Sequence, residues 1–383
     1  MHIIADKNIP QVEAAFAHIG EVELVEGRGL QAEQVADADM LLVRSVTPVN
    51  AALLANSKVR FVASATIGTD HIDFAYLKAR GIHFANAPGC NATSAAEYVI
   101  TALLHYFVHS GVSLDGKKVA VVGYGNVGSR VTHKLQAFNC ELSVYDPPRQ
   151  AQFTDRDYAG WDEVCTANIV TAHVPLTTGG PWPTLNMFNT DFFARLKPGA
   201  VFINTARGKA VDEVALMREL AHKPLYLMLD VWRNEPTIDL ALLAQTRIAT
   251  PHIAGYSIEG KLRGTEMIYQ AACAFLNLAP QWRMAQVLPQ PVPLRLADVH
   301  GTAQEIIHQL VHKAYPILED DARLREVTHM ADNERGAYFD MLRKTYPVRH
   351  EFAHYHIQPD AGQAALCKQL QTLGFSINHP AVP

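Results

Sequence analysis

Three segments in the middle of the chain place an arginine, a glutamate and a histidine just after apolar stretches with the composition of strands. Arg207 lies in N-T-A-R-G, Glu235 in L-D-V-W-R-N-E-P and His252 in T-P-H-I-A-G. Residues that follow parallel strands gather at the carboxyl edge of a sheet, where α/β proteins bind ligands. A histidine can accept a hydroxyl proton, a carboxylate can orient the imidazole, and a guanidinium can hold a carboxylate and polarise a carbonyl. Taken alone, the arginine would more often form a salt bridge and the histidine would more often be structural. Their order behind a dinucleotide motif predicts hydride transfer from a hydroxy acid.

A glycine-rich turn precedes these segments and indicates the hydride acceptor. Between an apolar strand and a helical pattern lies a G-x-G-x-x-G turn formed by Gly123, Tyr124, Gly125, Asn126, Val127 and Gly128. The first glycine permits the tight turn, the second lets a diphosphate approach the backbone, and the third lets helix and strand pack closely. The N–H groups at the start of the helix then face the diphosphate. The turn predicts a dinucleotide site, and a purely structural glycine-rich turn is the alternative.

An aspartate closes the next predicted strand. Asp146 follows Gly128 by 18 residues. A carboxylate at this place accepts hydrogen bonds from the ribose hydroxyls and repels a 2′-phosphate, which favours NAD over NADP. The alternative interpretation is a turn-forming aspartate before Pro147, and Arg149 is close by. The predicted cofactor is NAD.

The composition indicates a folded protein of several domains. The chain has 383 residues, of which 49% are hydrophobic and 19% charged, and its formal net charge is -5. Domains contain about 100 to 200 residues, so two or three are expected. The high apolar content excludes global disorder, and the acidic balance argues against nucleic acid as a partner. The five cysteines are scattered, which indicates reduced cytoplasmic thiols, and we expect neither a signal peptide nor a transmembrane helix.

Apolar runs alternate with helical patterns along most of the chain. Five predicted strands within residues 2–85 and six within residues 118–249 alternate with helices, as in parallel α/β domains. A helix is expected from Thr93, where the chain leaves the first domain. The prolines crowded into residues 280–293 indicate a linker or boundary. An amphipathic helix over residues 301–318 and a helix-strand pair over residues 362–377 are predicted beyond it.

Over roughly residues 35–285 the sequence resembles the D-isomer-specific 2-hydroxyacid dehydrogenase family. The resemblance rests on the glycine turn, H-V-P-L from His173, N-T-A-R-G, L-D-V-W with Glu235, and P-H-I-A-G-Y from Pro251. It implies a doubly wound Rossmann domain that binds NAD, inserted in a smaller flavodoxin-like α/β substrate domain. The implied boundaries are residues 1–93 and 257–285 for the substrate domain, 94–256 for the NAD domain and 286–383 for a C-terminal α+β dimerisation domain.

The resemblance also implies roles for individual residues. Arg207, Glu235 and His252 are the expected catalytic residues, with His252 as the proton acceptor in the oxidative direction. The expected cofactor-binding residues are Gly123, Gly125, Asn126, Val127, Gly128, Asp146, Val174, Asp230 and Gly255. The expected substrate-binding residues are Ser45, Thr66 and Tyr256. Family members often have threonine at the place of Val174, so only a backbone contact with the cofactor is expected there.

Further segments resemble one branch of the family. These are S-V-T from Ser45, A-T-I-G-T-D from Ala65, P-H-I-A-G-Y-S from Pro251 and the extra C-terminal region. The branch implies oxidation of 4-phospho-D-erythronate at C2 to (R)-3-hydroxy-2-oxo-4-phosphobutanoate, a step of pyridoxal 5′-phosphate synthesis, by a cytoplasmic homodimer without a nucleic-acid or membrane partner. The alternative substrates are 3-phosphoglycerate and glycerate. The candidate cations for the substrate phosphate are Arg44, Lys261 and Arg349.

Histidine pairs four residues apart occur twice in the C-terminal region. His350, Glu351 and His354 match H-E-x-x-H, so a zinc metallopeptidase is the alternative from another class of function. Pro347 just before the motif and a strand-like segment just after it argue against the helix that this motif needs. The candidates for a further zinc ligand are His356, Asp360 and His379. His308 and His312 are predicted to lie at the rim of a buried helix face, which makes them structural.

Overall fold

The computed structural model describes residues 1–359 and 362–378, which form two units. The first unit comprises Met1–Asn91 and Ser257–Gln290. The second comprises Ala92–Tyr256 and the chain from Pro291 onward. Because the chain leaves the first unit after Asn91 and returns to it at Ser257, the residues Ala92–Tyr256 of the second unit are inserted in the sequence of the first.

A parallel five-stranded sheet with the strand order β2-β1-β3-β4-β5 forms the centre of the first unit. This order is that of flavodoxin-like folds, as predicted. The central strands are apolar throughout because helices cover both faces of such a sheet, and every residue of β3 and β4 is buried. The elements are β1 His2–Asp6, α1 Val12–Phe16, β2 Glu21–Val25, α2 Ala32–Val35, β3 Met40–Val43, α3 Ala51–Leu54, β4 Phe61–Ser64, α4 Phe74–Arg80 and β5 His83–Asn86.

The second unit opens with a parallel six-stranded sheet in the order β11-β10-β9-β8-β6-β7. The order reverses at β6, because β7 pairs on one side of it and β8 on the other. The carboxyl ends of β6 and β8 therefore border the crevice in which a doubly wound sheet binds its ligand. The elements are α5 Ala92–His109, β6 Lys118–Val122, α6 Asn126–Leu135, β7 Glu141–Tyr145, α7 Pro147–Gln150, α8 Trp161–Cys165, β8 Ile169–Ala172, α9 Thr190–Arg195, β9 Val201–Asn204, α10 Glu213–Leu220, β10 Tyr226–Leu229, α11 Leu240–Gln245 and β11 Thr246–Ala249.

One long helix brings the chain back into the first unit. It is α12, Ile258–Leu276, and it packs against α1 and β5. The Ser257 hydroxyl caps its first turn by accepting a hydrogen bond from the Gly260 N–H at 2.9 Å. Asn277 ends it in the left-handed conformation at a φ of 56°. No helix of the described residues is long and apolar enough to cross a membrane.

The C-terminal segment differs from the sequence-based expectation at two places. Residues 301–318 form two helices and not one, because Pro316 lacks the N–H that a continuous helix needs. The proline-rich boundary contains a strand, and Pro293 is tolerated there because the strand lies at the edge of the parallel sheet β12-β13-β14. The elements are β12 Val292–Arg295, α13 Ala303–Ala314, α14 Ile317–Arg325, α15 Asp332–Lys344, β13 Tyr355–Gln358, α16 Ala364–Leu373 and β14 Ser376–Ile377.

Buried charges join the C-terminal segment to the helices of the six-stranded sheet. Lys134 of α6 donates to the Glu97 carboxylate of α5 at 3.3 Å and to the carbonyl of Leu373 at the end of α16. The same carboxylate accepts a hydrogen bond from the Phe352 N–H at 3.1 Å. Burial raises the pKa of Glu97 to about 7 despite the neighbouring lysine. These contacts are consistent with the grouping of the C-terminal segment and the six-stranded sheet in one unit.

Candidate active site

The glycine turn connects the carboxyl end of β6 to α6. Gly123 has a φ of 93°, in the left-handed region that side chains rarely adopt, and a Cβ there would lie 2.7 Å from the carbonyl oxygen of His173. A Cβ on Gly128 would collide with the carbonyl oxygen of Gly123, whereas nothing lies within 4 Å of the Cβ position of Gly125. The turn is therefore closely packed at its outer glycines and open at its middle one, where a diphosphate can approach the helix N-terminus.

Three further residues predicted to bind the cofactor lie beside this turn. Asn126 and Val127 are the first two residues of α6, so their N–H groups are among those that the helix itself leaves without a carbonyl partner. Val174 follows β8, and its Cγ1 lies 3.1 Å from the Cβ position of Gly123. The carboxyl ends of β6 and β8 thus bring the turn and Val174 to the predicted crevice.

The closely packed Gly128 and the open Gly125 give a stability prediction with a matched control. Replacing Gly128 by alanine should lower the free energy of unfolding by roughly 1–3 kcal/mol, because the new methyl group meets a backbone carbonyl that cannot rotate away. Replacing Gly125 by alanine should leave stability close to wild type and weaken NAD binding, since the methyl group enters the open space. Denaturant unfolding and NAD titration of both variants measure the two effects. Equal stability of the two variants would contradict the packing described for Gly128.

Asp146 links the glycine turn to the chain beyond β7. Its Oδ2 accepts a hydrogen bond from the Tyr124 N–H at 2.7 Å, and its Oδ1 accepts one from the Arg149 N–H at 2.9 Å. The Arg149 guanidinium donates to Asp155 at 3.0 Å and to the Tyr158 hydroxyl at 3.1 Å. The carboxylate is therefore fixed beside the turn while the nearby arginine is paired elsewhere, which fits NAD better than NADP.

Arg207, Glu235 and His252 follow β9, β10 and β11, which are adjacent strands of one sheet. Two of the three side chains are in direct contact, since His252 Nδ1 lies 2.7 Å from Glu235 Oε2. The histidine side chain remains 34% exposed and the glutamate 20%, so the pair is open on one side. The sheet brings to one edge the three residues that the sequence singled out.

The protonation state of Glu235 fixes the tautomer of His252. Burial by itself raises the pKa of Glu235, but the charge and hydrogen bond of His252, with the hydrogen bond from the Trp232 N–H, outweigh burial and lower that pKa below its usual value. An ionised carboxylate only accepts hydrogen bonds, so His252 donates from Nδ1. Its Nε2 is then left as the basic nitrogen, as proton abstraction from an alcohol requires.

Asp230 shapes the loop that presents His252. The backbone of His252 has a φ of 58°, an uncommon conformation for a side-chain-bearing residue, and its N–H donates to the carbonyl of Asp230 at 2.7 Å. The Asp230 carboxylate accepts hydrogen bonds from the Ile253 and Ala254 N–H groups at 2.7 and 3.0 Å and from the Thr250 hydroxyl at 2.7 Å. Gly255, predicted to contact the cofactor, is the next residue of this loop.

The turn that carries Arg207 is held by a neighbouring amide side chain. Asn204, the last residue of β9, donates from Nδ2 to the carbonyl of Arg207 at 3.1 Å and accepts a hydrogen bond from the Ala206 N–H at 3.0 Å. The sequence showed Asn204 only as part of the N-T-A-R-G motif, without a role. The structure gives it one, because these two hydrogen bonds set the direction in which Arg207 leaves the sheet.

In the first unit, the predicted substrate residues lie at the carboxyl ends of neighbouring strands. Ser45 follows β3 and is exposed, and Thr66 follows β4, where its hydroxyl lies 2.8 Å from that of Ser64. Arg44 donates from Nε to Asp6 at 3.0 Å. Burial and then the charge of Arg44 lower the pKa of Lys261, which shows that two cations lie near each other at this edge of the unit.

Tyr256 belongs to the second unit, where an arginine that the sequence did not single out contacts it. Arg343 of α15 forms a hydrogen bond with the Tyr256 side chain and interacts with the charge of Glu235. Its Nε is buried and forms no hydrogen bond with any described residue. Nothing local in the sequence of α15 indicates this contact, because Arg343 is far from both partners along the chain. Arg343 brings a cation of the C-terminal segment to the loop that carries His252, which we call the catalytic loop.

Arg349 is a structural residue and is not available to a substrate phosphate. Its side chain is 6% exposed, donates to the carbonyl oxygens of Ala254 and Ser94 at 3.2 and 2.7 Å, and lies 3.7 Å above the ring centroid of Tyr315. A guanidinium held in this way fixes the end of the catalytic loop against α5. Of the three candidate cations, Arg44 and Lys261 remain.

The H-E-x-x-H segment does not have the geometry of a zinc peptidase. Only the last three residues of the motif, Phe352–His354, form a short 3-10 turn, and His350 and Glu351 precede it, so the motif is not on the α-helix that sets two zinc ligands on one face. Glu351 is buried and accepts a hydrogen bond from the Ser94 hydroxyl at 3.0 Å, so it is unavailable as a general base. Asp360 and His379, considered as further ligands, lie outside the described residues.

Comparison with known proteins identifies relatives along the whole chain. The family described as "D-isomer specific 2-hydroxyacid dehydrogenase, NAD binding domain" matches residues 101–254, and a domain of unknown function, DUF3410, matches residues 287–374. The erythronate-4-phosphate dehydrogenase of Cellvibrio japonicus is 43% identical over 98% of this chain and 99% of its own. That of Salmonella arizonae is 42% identical over 100% of both chains.

Solved structures show the same fold in more distant proteins. The NAD-bound 3-phosphoglycerate dehydrogenase of Entamoeba histolytica superposes with a TM-score of 0.62 at 23% identity, covering 72% of this chain and 95% of that one. The D-lactate dehydrogenase of Aquifex aeolicus, solved with NAD and lactic acid, has a TM-score of 0.58 at 22% identity, covering 72% and 96%. Together with the full-length relatives, the fold and the strand-end residues show that the chain belongs to the erythronate-4-phosphate dehydrogenase family, a branch of the NAD-dependent D-isomer-specific 2-hydroxyacid dehydrogenases.

Proposed function

We propose that the protein oxidises 4-phospho-D-erythronate at C2 to (R)-3-hydroxy-2-oxo-4-phosphobutanoate with NAD, a step of pyridoxal 5′-phosphate synthesis. The observation that carries the proposal is the His252–Glu235 pair at 2.7 Å. Glu235 follows β10, His252 follows β11 and Arg207 follows β9, so the three residues lie at the same edge of the sheet as the glycine turn. The names of the full-length relatives support this substrate.

The residues of the glycine turn fit NAD. The open space at Gly125 admits the diphosphate, the N–H groups of Asn126 and Val127 face it, and Asp146 stands where the ribose hydroxyls of a dinucleotide bind. Gly123 and Gly128 shape the turn. Val174 follows the adjacent strand β8, and Asp230 and Gly255 follow β10 and β11 at the same edge of the sheet. NAD, when bound, supplies the acceptor for the hydride that leaves C2.

The oxidation removes a proton from the C2 hydroxyl and a hydride from C2, and each catalytic residue has a separate role in it. His252 accepts the C2 hydroxyl proton at Nε2, and the ionised Glu235 stabilises the imidazolium that forms. The C2–H bond breaks with its electron pair, and the C2–O bond becomes a carbonyl. Arg207 pairs with the substrate carboxylate and polarises the oxygen on which the carbonyl forms. Ser45, Thr66 and Tyr256 provide hydroxyls that suit a polyhydroxylated substrate.

Arg44 and Lys261 are proposed to bind the substrate phosphate. Arg44 follows the strand that also precedes Ser45, and its charge lowers the pKa of Lys261, so the two cations lie close enough to bind one phosphate together. Replacing Lys261 by methionine should lower kcat/KM for 4-phospho-D-erythronate by roughly 10- to 100-fold, because one charge-assisted hydrogen bond is lost. The same variant should leave kcat/KM for unphosphorylated D-erythronate almost unchanged.

Steady-state kinetics with the two substrates measure this difference. The matched control is Lys78→Met, an exposed lysine of α4 in the same unit, which should have wild-type kinetics with both substrates. An equal loss with both substrates would show that Lys261 acts on something other than the phosphate. Unchanged kinetics with both would remove Lys261 from the site.

We also propose that the protein is a cytoplasmic homodimer that associates through the C-terminal segment. This segment has β12 at the edge of its sheet, and an edge strand offers backbone groups to a second strand. It also exposes apolar side chains, namely Val292, Leu318, Met341 and Val348, of which Val348 is 74% exposed. None of the five cysteines forms a disulfide, which supports a reducing compartment.

A further inference from the structure

Two packed helices of the second unit each carry a pair of histidines four residues apart. His105 and His109 lie on α5, and His308 and His312 lie on α13, which packs against α5. Residues four apart lie on the same face of a helix. The helix packing therefore turns two separate sequence pairs into one group of four imidazoles. His308 and His312 lie at the rim of a buried helix face, as predicted. Because the histidines of α5 lie beside this rim, the cluster can also bind an ion.

Three of these imidazoles are close enough to share an ion. His105, His109 and His308 each offer one ring nitrogen, and the three nitrogens lie within 4.8 Å of one another. The ring centroids of His105 and His109 are 4.0 Å apart, and those of His109 and His308 are 5.4 Å apart. Zinc binds imidazole nitrogen at about 2.0–2.1 Å, so small rotations of the side chains would bring the three nitrogens to one ion. His312, the fourth histidine, lies farther away, with its ring centroid 6.1 Å from that of His308.

The hydrogen bonds around the cluster leave nitrogen lone pairs for an ion. His109 Nδ1 lies 2.8 Å from the backbone carbonyl of His105. Because a carbonyl only accepts, Nδ1 carries the proton and the lone pair is on Nε2, which is the arrangement that orients metal-binding histidines.

The access from solvent and the ligand atoms around the histidine cluster determine which kind of ion can bind there. An open depression of about 530 Å³, lined by His109 and His308, lets an ion enter from solvent. Glu305 lines the same depression, but its carboxylate accepts hydrogen bonds from the N–H and hydroxyl of Thr302 at 2.7 and 2.9 Å and so caps α13. The donor set is thus imidazole without carboxylate. Such a set suits zinc, nickel or copper, and not calcium or magnesium.

We propose that His105, His109 and His308 form a binding site for a divalent transition-metal ion that ties α13 to α5. The site is separate from the residues assigned to hydride transfer, so it acts on the stability of the fold and not on the chemistry. Its effect is to fasten the first helix of the C-terminal segment to the helix that opens the nucleotide-binding unit.

Calorimetric titration of the full-length, tag-free protein tests the site after chelator treatment and removal of the chelator. We expect one zinc ion per chain, a higher midpoint of thermal unfolding with zinc, and no binding of magnesium. His308→Gln should weaken zinc binding by more than about tenfold, since a ligand is removed, and should abolish the thermal shift. The matched control is His222→Gln, an exposed histidine of the same unit, which should bind zinc as wild type does.

A second measurement keeps the test independent of the variants. Zinc-edge X-ray absorption of the wild-type complex should show three or four nitrogen ligands with imidazole scattering. Absence of stoichiometric zinc binding would overturn the proposal, and so would unchanged affinity in His308→Gln. Loss of binding in His350→Gln with full binding in His308→Gln would place the ion at the His350–His354 pair and overturn it as well.

Discussion

Replacing His252 by asparagine should lower kcat for NAD-dependent oxidation of 4-phospho-D-erythronate by about 10²- to 10⁴-fold, the contribution of a positioned general base. Asparagine is the suitable replacement because it tolerates the left-handed backbone that His252 adopts at a φ of 58°. Its amide can also donate to Glu235 while offering no basic nitrogen. The variant therefore removes the base and leaves the loop intact.

Two measurements on this variant separate lost chemistry from lost structure. The NAD dissociation constant and the midpoint of thermal unfolding should both remain close to wild type. A matched variant, His222→Asn, replaces an exposed histidine outside the site and should keep full activity. Near-wild-type turnover of His252→Asn would exclude His252 as the proton acceptor. A large loss of stability would instead mean that the loop depends on the imidazole.

Replacing Arg207 by methionine should lower kcat/KM by roughly 10²- to 10³-fold, because the transition state loses a charged hydrogen-bond donor at the forming carbonyl. Methionine keeps the apolar length of the side chain, and the hydrogen bonds of Asn204 to the backbone of the turn remain. Arg207→Lys should recover only part of the loss, because an ammonium group cannot form the two parallel bonds of a guanidinium with a carboxylate.

Chemical rescue distinguishes this role from a structural one. Added guanidinium ion should restore part of the activity of Arg207→Met and have no such effect on His252→Asn. A purely structural role for Arg207 predicts reduced stability and no rescue. Unchanged kcat/KM in Arg207→Met would remove the residue from the catalytic group.

The parallel sheets and the strand-end residues could be predicted because their causes are local in sequence. Apolar runs such as residues 118–122 and 169–172 form buried strands of parallel sheets. The positions of the glycine turn and of the segments around Arg207, Glu235 and His252 each depend only on the strand that precedes them in the sequence. When these strands are parallel and adjacent, the residues that follow them necessarily lie at one edge of the sheet.

Features that depend on distant contacts could not be predicted in this way. Arg343 reaches Tyr256 from another helix, and the histidines of α5 meet those of α13 only when the helices pack. The single helix expected over residues 301–318 was wrong because Pro316 outweighed the apolar period around it. The strand β12 was missed because proline, which usually interrupts strands, is tolerated at a sheet edge.

The most direct test of the proposed activity is a comparison of kcat/KM for 4-phospho-D-erythronate, 3-phospho-D-glycerate and D-glycerate, with NAD under the same conditions. The polyhydroxylated chain and the phosphate together should make 4-phospho-D-erythronate the best substrate by at least about tenfold, since unmet polar contacts are costly in a site built to satisfy them. A higher kcat/KM for 3-phospho-D-glycerate or D-glycerate would contradict the proposed function.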